Sequence, residues 1–154
     1  KVIQCDIHGA NGLAFSADQR WMYTSDTPNA VIYRTPLDEQ GEPGRREVFR
    51  RFQPGEGIPD GAAIDVEGCY WSAMFDGWRI ARFSPQGEEL ETYPMPVRCP
   101  TMVCFGGADM KTLYITTTRE NMEDDELAKY PLSGAIFTLP VAVAGMKKLP
   151  FRER

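Results

Sequence analysis

Apolar residues along this chain fall in short runs, rich in aromatic and β-branched side chains and bounded by Gly, Pro, Asn or Asp. That is the pattern of many brief strands rather than of helices. Strands are expected at Leu13 to Phe15, Trp21 to Thr24, Val31 to Tyr33, Glu47 to Phe49, Ala62 to Ile64, Tyr70 to Ser72, Arg79 to Phe83, Leu113 to Thr116 and Ala135 to Leu139. Pro85-Gln86-Gly87, Glu39-Gln40-Gly41 and Val66-Glu67-Gly68 supply turns with a glycine for the positive-φ position. The one helical turn expected is Asp124 to Lys129, inside a loop. The fold class is all-β.

A weak repeat sharpens that class. NGLAFSADQRWMY starts at Asn11, DGAAIDVEGCYW at Asp60 and TMVCFGGADMKTLY at Thr101, so the starts lie 49 and 41 positions apart. Each segment has an apolar strand, a turn with Asp, Glu or Gly, and a strand with an aromatic. Such a period matches the blades of a β-propeller, of which this chain has about three. Three blades do not close a ring. Both terminal blades are expected to expose apolar faces, which a missing half or a second copy must cover. A sandwich or a self-contained barrel is the alternative if the repeat is a coincidence.

The 154 residues carry a formal net charge of −5, which argues against a nucleic-acid partner. Arg45, Arg46, Arg50 and Arg51 read as a solvated strand edge or loop. No run is long and apolar enough for a membrane helix, and a cytoplasmic location is expected. Cys5, Cys69, Cys99 and Cys104 show no CxxC spacing, and His8 is the lone histidine. A structural zinc site, thiol-redox and Ser-His-Asp chemistry thereby lose their support. Buried, reduced thiols are expected, with a disulfide pair left open.

Two positions carry the candidate chemistry. Asn11 and Asp60 stand just before a strand at the same point of the repeat, where neighbouring blades aim side chains at a shared axis. An amide oxygen and a carboxylate suit a hard divalent cation. Asn-Gly and Asp-Gly are also turn dipeptides, and on the residues alone the turn reading weighs more. Asp26, after a strand, is a secondary candidate whose ordinary role is a turn former. The acidic run Glu123 to Glu126 lacks EF-hand spacing, and Phe105 to Asp109 follows no phosphate-loop pattern.

Four runs, ANGLAFSADQRWMYTSDT from Ala10, IPDGAAIDVEGCYWSA from Ile58, FGGADMKTLYITTTRENM from Phe105 and GAIFTLP from Gly134, change that balance. In order and spacing they resemble the senescence marker, gluconolactonase and luciferin-regenerating enzyme family, to which regucalcin belongs. The resemblance spans nearly the whole chain. It implies a six-bladed propeller, of which residues 1–154 form the C-terminal half, with one divalent cation in the channel and hydrolysis of sugar lactones. Calcium comes first, with zinc, manganese or magnesium as alternatives. It further implies that Asn11 and Asp60 ligate the metal, Asp60 acting in catalysis as well. The family's third ligand, a glutamate of the first blade, has no counterpart in this chain. Two other readings stay open. One is a non-enzymatic calcium-binding propeller; the other is a half-propeller that works only after assembly with a partner half.

Overall fold

The computed structural model describes residues 1–147, so the far end of the expected 1–154 unit lies outside them. Three antiparallel sheets follow one another along the chain, each a meander of consecutive strands. The first blade contains β1 (Ala10–Phe15), β2 (Trp21–Asp26), β3 (Val31–Pro36) and β4 (Glu47–Arg51). The second contains β5 (Ile58–Ile64), β6 (Tyr70–Phe75), β7 (Arg79–Phe83) and β8 (Glu89–Pro94). The third has β9 (Pro100–Gly106), β10 (Thr112–Thr117) and β11 (Ile136–Pro140), with α1 (Asp124–Lys129) in the connection before β11. Blade-to-blade contact concentrates on the first strands, β1 against β5 and β5 against β9. This is a three-bladed propeller arc.

Strand β6 shows why the blades stack. Alternate side chains of a strand point to opposite faces, and β6 lies in the middle blade, so both of its faces are covered. Tyr70 and Met74 enter the core shared with the first blade, while Trp71 and Ala73 enter the core shared with the third. In the first core the rings of Tyr23, Phe49 and Tyr70 meet with centroids 5.2 to 6.0 Å apart. In the second, Trp71 stacks on Tyr93 at 5.4 Å and meets Phe105 edge-on at 5.5 Å.

The two ends of the arc differ. On the third blade Leu113 and Ile115 face the second blade, but Tyr114 is 44% exposed and Ile136 71% exposed on the far side. That open apolar face is as expected. The outer face of the first blade is instead partly covered by the segment before β1, where the Gln4 side-chain amide donates to Thr35 Oγ1 at 2.9 Å. Met22 is buried as a result. The cysteines also divide: Cys69 and Cys99 are buried, whereas Cys5 is exposed and Cys104 half-buried. The expectation of buried thiols fails for those two. Cys5 lies in the N-terminal segment, and Cys104 points to the uncovered side of β9. All four are free. Two of the four clustered arginines are paired within the fold, Arg46 with Asp6 and Arg50 with Glu89 and Glu56.

A buried ion pair ties the turn after β5 to β7. Asp65 Oδ1 accepts the backbone N–H of Glu67 and of Cys69, both at 2.9 Å. Its Oδ2 accepts Trp71 Nε1–H at 2.9 Å and Arg82 Nε–H at 2.8 Å. Removing one partner of a buried pair strands the other charge in low dielectric. Asp65→Ala is therefore expected to lower the unfolding free energy by about 3 kcal/mol, read from urea denaturation. An unchanged midpoint would show that Glu67 and Glu91 compensate Arg82 without it.

Candidate functional site

Asn11 and Asp60 do not stand in turns. Both lie inside strands, Asn11 second in β1 and Asp60 third in β5. Each strand has an irregularity there: the register slips between Asn11 and Ala14 against β2, and between Pro59 and Ala62 against β6. A bulge of this kind puts an extra residue into one strand and re-aims the neighbouring side chains. Strand β9 slips in the same way at Thr101, between Pro100 and Met102. The repeated Asn-Gly, Asp-Gly and Thr-Met steps are thus three bulges at one level of the arc.

The glycines make the approach possible. Gly12 has φ +57°, and a Cβ added to it would lie 2.3 Å from Tyr70 Oη and 2.4 Å from Ser25 Oγ. A Cβ on Gly61 would lie 2.3 Å from Met102 Sδ and 2.6 Å from the Thr101 carbonyl. Through these bare positions the hydroxyls bridge the first two blades. Tyr70 donates to the Gly12 carbonyl at 2.8 Å, and Ser25 donates to the Asp60 carbonyl at 3.0 Å. Thr27 donates to the Pro59 carbonyl at 2.8 Å and accepts from Asn11 Nδ2 at 3.0 Å. Asn11 and Asp60 are thereby held on adjoining strands by a short hydrogen-bonded lattice.

The two candidate side chains keep their acceptor oxygens available. Among the described residues no hydrogen bond or ion pair engages the Asp60 carboxylate, and only the nitrogen of the Asn11 amide is engaged. Burial pushes the Asp60 carboxyl up to about 6, with a smaller contribution from the like charge of Glu120. A half-buried carboxylate with no counter-charge among the described residues and a free amide oxygen on the adjoining strand are oxygen donors of the kind a hard divalent cation takes. Among the described residues no three His, Cys, Asp or Glu side chains form a full metal cage. The pair alone falls short of such a cage.

A sequence family described as the SMP-30/Gluconolactonase/LRE-like region matches residues 1–119. The chain belongs to this family. It is 56% identical over 146 residues to 6-deoxy-6-sulfogluconolactonase of Pseudomonas putida, covering 94% of this chain and 50% of that protein. It is 40% identical over 147 residues to regucalcin of Danio rerio, covering 94% of this chain and 49% of the relative. The crystal structure of a calcium-binding protein, regucalcin from Agrobacterium tumefaciens, superposes with a TM-score of 0.92 at 31% identity, covering 98% of this chain and 52% of that one. The chain spans about half the length of the curated relatives it matches.

Asp26, the secondary candidate, has a different position from the other two. It ends β2 and is buried, with Oδ1 accepting Gly9 N–H at 3.3 Å and Oδ2 accepting Asn29 Nδ2 at 2.8 Å. Burial raises its pKa, but these amide donors together hold it below the ordinary value. Its oxygens fix the 3-10 turn Thr27–Asn29, which carries Thr27. Sequence reasoning did not single out Ser25, Thr27, Tyr70, Thr101 or Glu120. Ser25 and Thr27 flank Asp26 in the first family-like run, where three consecutive oxygen-bearing residues at a strand end were the available signal. An apolar groove of about 630 Å³ lies at the other end of the first strands, lined by Leu13, Phe15, Ile64, Met102, Phe105 and Met146. It contains neither candidate residue.

The raised Asp60 pKa has a stability consequence. Its folded value of about 6 exceeds the ordinary 3.8, so the contribution of Asp60 to folding is fully present below pH 3.8 and is lost as the pH rises through 6. With a chelator present, Asp60→Asn is expected to stabilise the protein by about 1 kcal/mol at neutral pH, after allowance for solvent screening. The gain should vanish near pH 4. Thermal unfolding of both forms across that pH range measures it, and a gain that persisted at low pH would contradict the assignment.

Proposed function

We propose that this chain is the C-terminal half of a divalent-cation-dependent lactonase whose complete ring has six blades. The carrying observation is the Asp60 carboxylate, half-buried and without a counter-charge among the described residues, on a strand adjoining the free amide oxygen of Asn11. Family membership and the 56% identity to a sulfogluconolactonase support a sugar lactone as substrate. Regucalcin relatives and a structural match described as calcium-binding favour calcium, with zinc, manganese or magnesium as alternatives. The free thiols fit a reducing, cytoplasmic compartment. Among the described residues no helix is long and apolar enough to cross a membrane.

In the proposed mechanism Asp60 and Asn11 would hold a divalent cation, which when bound would supply positive charge to the lactone carbonyl oxygen. Asp60 would hold it through one carboxylate oxygen, and the other would accept the proton of the attacking water and return it to the ring oxygen as the acyl–oxygen bond breaks. Asn11 contributes a neutral oxygen, which fixes geometry while leaving the cation's charge undiminished. Ser25 and Tyr70 hold the two backbones that present these side chains. The missing half supplies a glutamate ligand, the facing wall of the channel and the cover for the exposed Ile136 face.

A second reading is a calcium-binding propeller without turnover, favoured by the description of the Agrobacterium tumefaciens structure. The two separate in one assay. Full-length protein is expected to hydrolyse an aldonolactone in the presence of one of the four cations, with kcat/KM at least about 100-fold lower in Asp60→Ala. Calcium binding without hydrolysis would select the second reading; unchanged hydrolysis in Asp60→Ala would remove the lactonase site from this pair.

A further inference from the structure

Thr27 stands where the two candidate ligands are coupled, and its hydroxyl has one proton. That proton goes to the Pro59 carbonyl, 2.8 Å away and next in the chain to Asp60. Towards Asn11, 3.0 Å away, the hydroxyl therefore presents a lone pair. Only the NH2 end of the Asn11 amide can answer a lone pair, so the amide is fixed with its nitrogen on Thr27 and its oxygen free. The distinction matters because the amide nitrogen has no lone pair to give a cation, and Asn ligates through oxygen alone.

Resting on the metal-site reading above, we propose that Thr27 is a positioning residue that selects the ligating orientation of the Asn11 amide. The other bridges do not do this. Ser25 and Tyr70 bind backbone carbonyls, which fixes strands but does not choose between the two ends of a side-chain amide. Thr27 binds a ligand side chain on one blade and the backbone beside the other ligand on the next. Its own place is braced by Asp26, whose carboxylate accepts from Asn29 at the end of the same turn and from Gly9, whose carbonyl in turn accepts the Thr27 backbone N–H at 3.1 Å. Thus the buried Asp26 acts on the site at second hand, through Thr27.

The test is calcium titration calorimetry on the full-length protein, which needs no turnover. Thr27→Val removes the hydroxyl at constant volume and is expected to weaken calcium binding about tenfold. Thr27→Ser is expected to restore it to within about twofold. A third form separates orientation from simple support: the two oxygens of a carboxylate are equivalent, so in an Asn11→Asp background Thr27→Val should cost no affinity. Where Thr27→Val does not fold, Thr27→Ala takes its place in both backgrounds. Wild-type affinity in Thr27→Val, no rescue by Thr27→Ser, or an equal loss in the Asn11→Asp background would each overturn the proposal. Failure of the underlying reading has a different signature. There the wild-type protein binds no calcium, or binds it equally well with Asp60→Ala.

Discussion

The contact between β1 and β5 depends on the absence of one methyl group. At Gly12 the hydroxyls of Tyr70 and Ser25 occupy the space that any other side chain would fill, and the backbone takes a φ of +57° that L residues rarely adopt. Both hydroxyls use that proximity, one bonding Gly12 itself and the other Asp60. Gly61 repeats the arrangement between β5 and β9, with Met102 and Thr101 pressed against it. Without these two close approaches the first strands would separate, and the side chains they carry would no longer lie on adjoining strands. Packing of the arc and placement of the candidate pair are therefore one constraint.

This constraint explains what the sequence revealed and what it concealed. Strands β2, β6 and β10 were legible because Trp21 to Thr24, Tyr70 to Ser72 and Leu113 to Thr116 are dense in residues that suit pleated, half-buried surfaces. Strand β8 was not, because Glu89 to Pro94 is an outer strand whose side chains largely face water, leaving no apolar run. The Asn-Gly and Asp-Gly steps were read first as turns, since glycine after Asn or Asp has that meaning locally. Here the glycines serve a neighbour roughly 60 or 40 positions away in sequence, Tyr70 for Gly12 and Met102 for Gly61, which no local pattern records. Ser25 and Thr27 escaped for the same reason: their acceptors, Asp60 and Pro59, lie on another blade. The repeat offset still placed Asn11 and Asp60 at one level, and the bulges follow that offset.

Charge is handled differently at the two ends of β5. Past its last residue Asp65 is buried with Arg82, each satisfied by several partners, so the pair is structural and closed. At the bulges Asp60 has no such partner among the described residues, and burial, with a smaller contribution from Glu120, governs its protonation. Two aspartates of one strand-turn unit thus have opposite fates. One is neutralised by the fold, and the other is left without a counter-charge among the described residues.

The unequal cover of the blades also has a dynamic consequence. Among the described residues only the second blade has a neighbouring blade on both faces, so its amides are joined to two cores, while the third has one core and exposed side chains at Tyr114 and Ile136. In stacked architectures local opening follows the number of neighbours lost. The third blade is then the first to breathe and the second the last. Asp60 rides on the slowest part of the arc, and the loops that surround it on the third blade, including the one with Glu120, belong to the part that moves first.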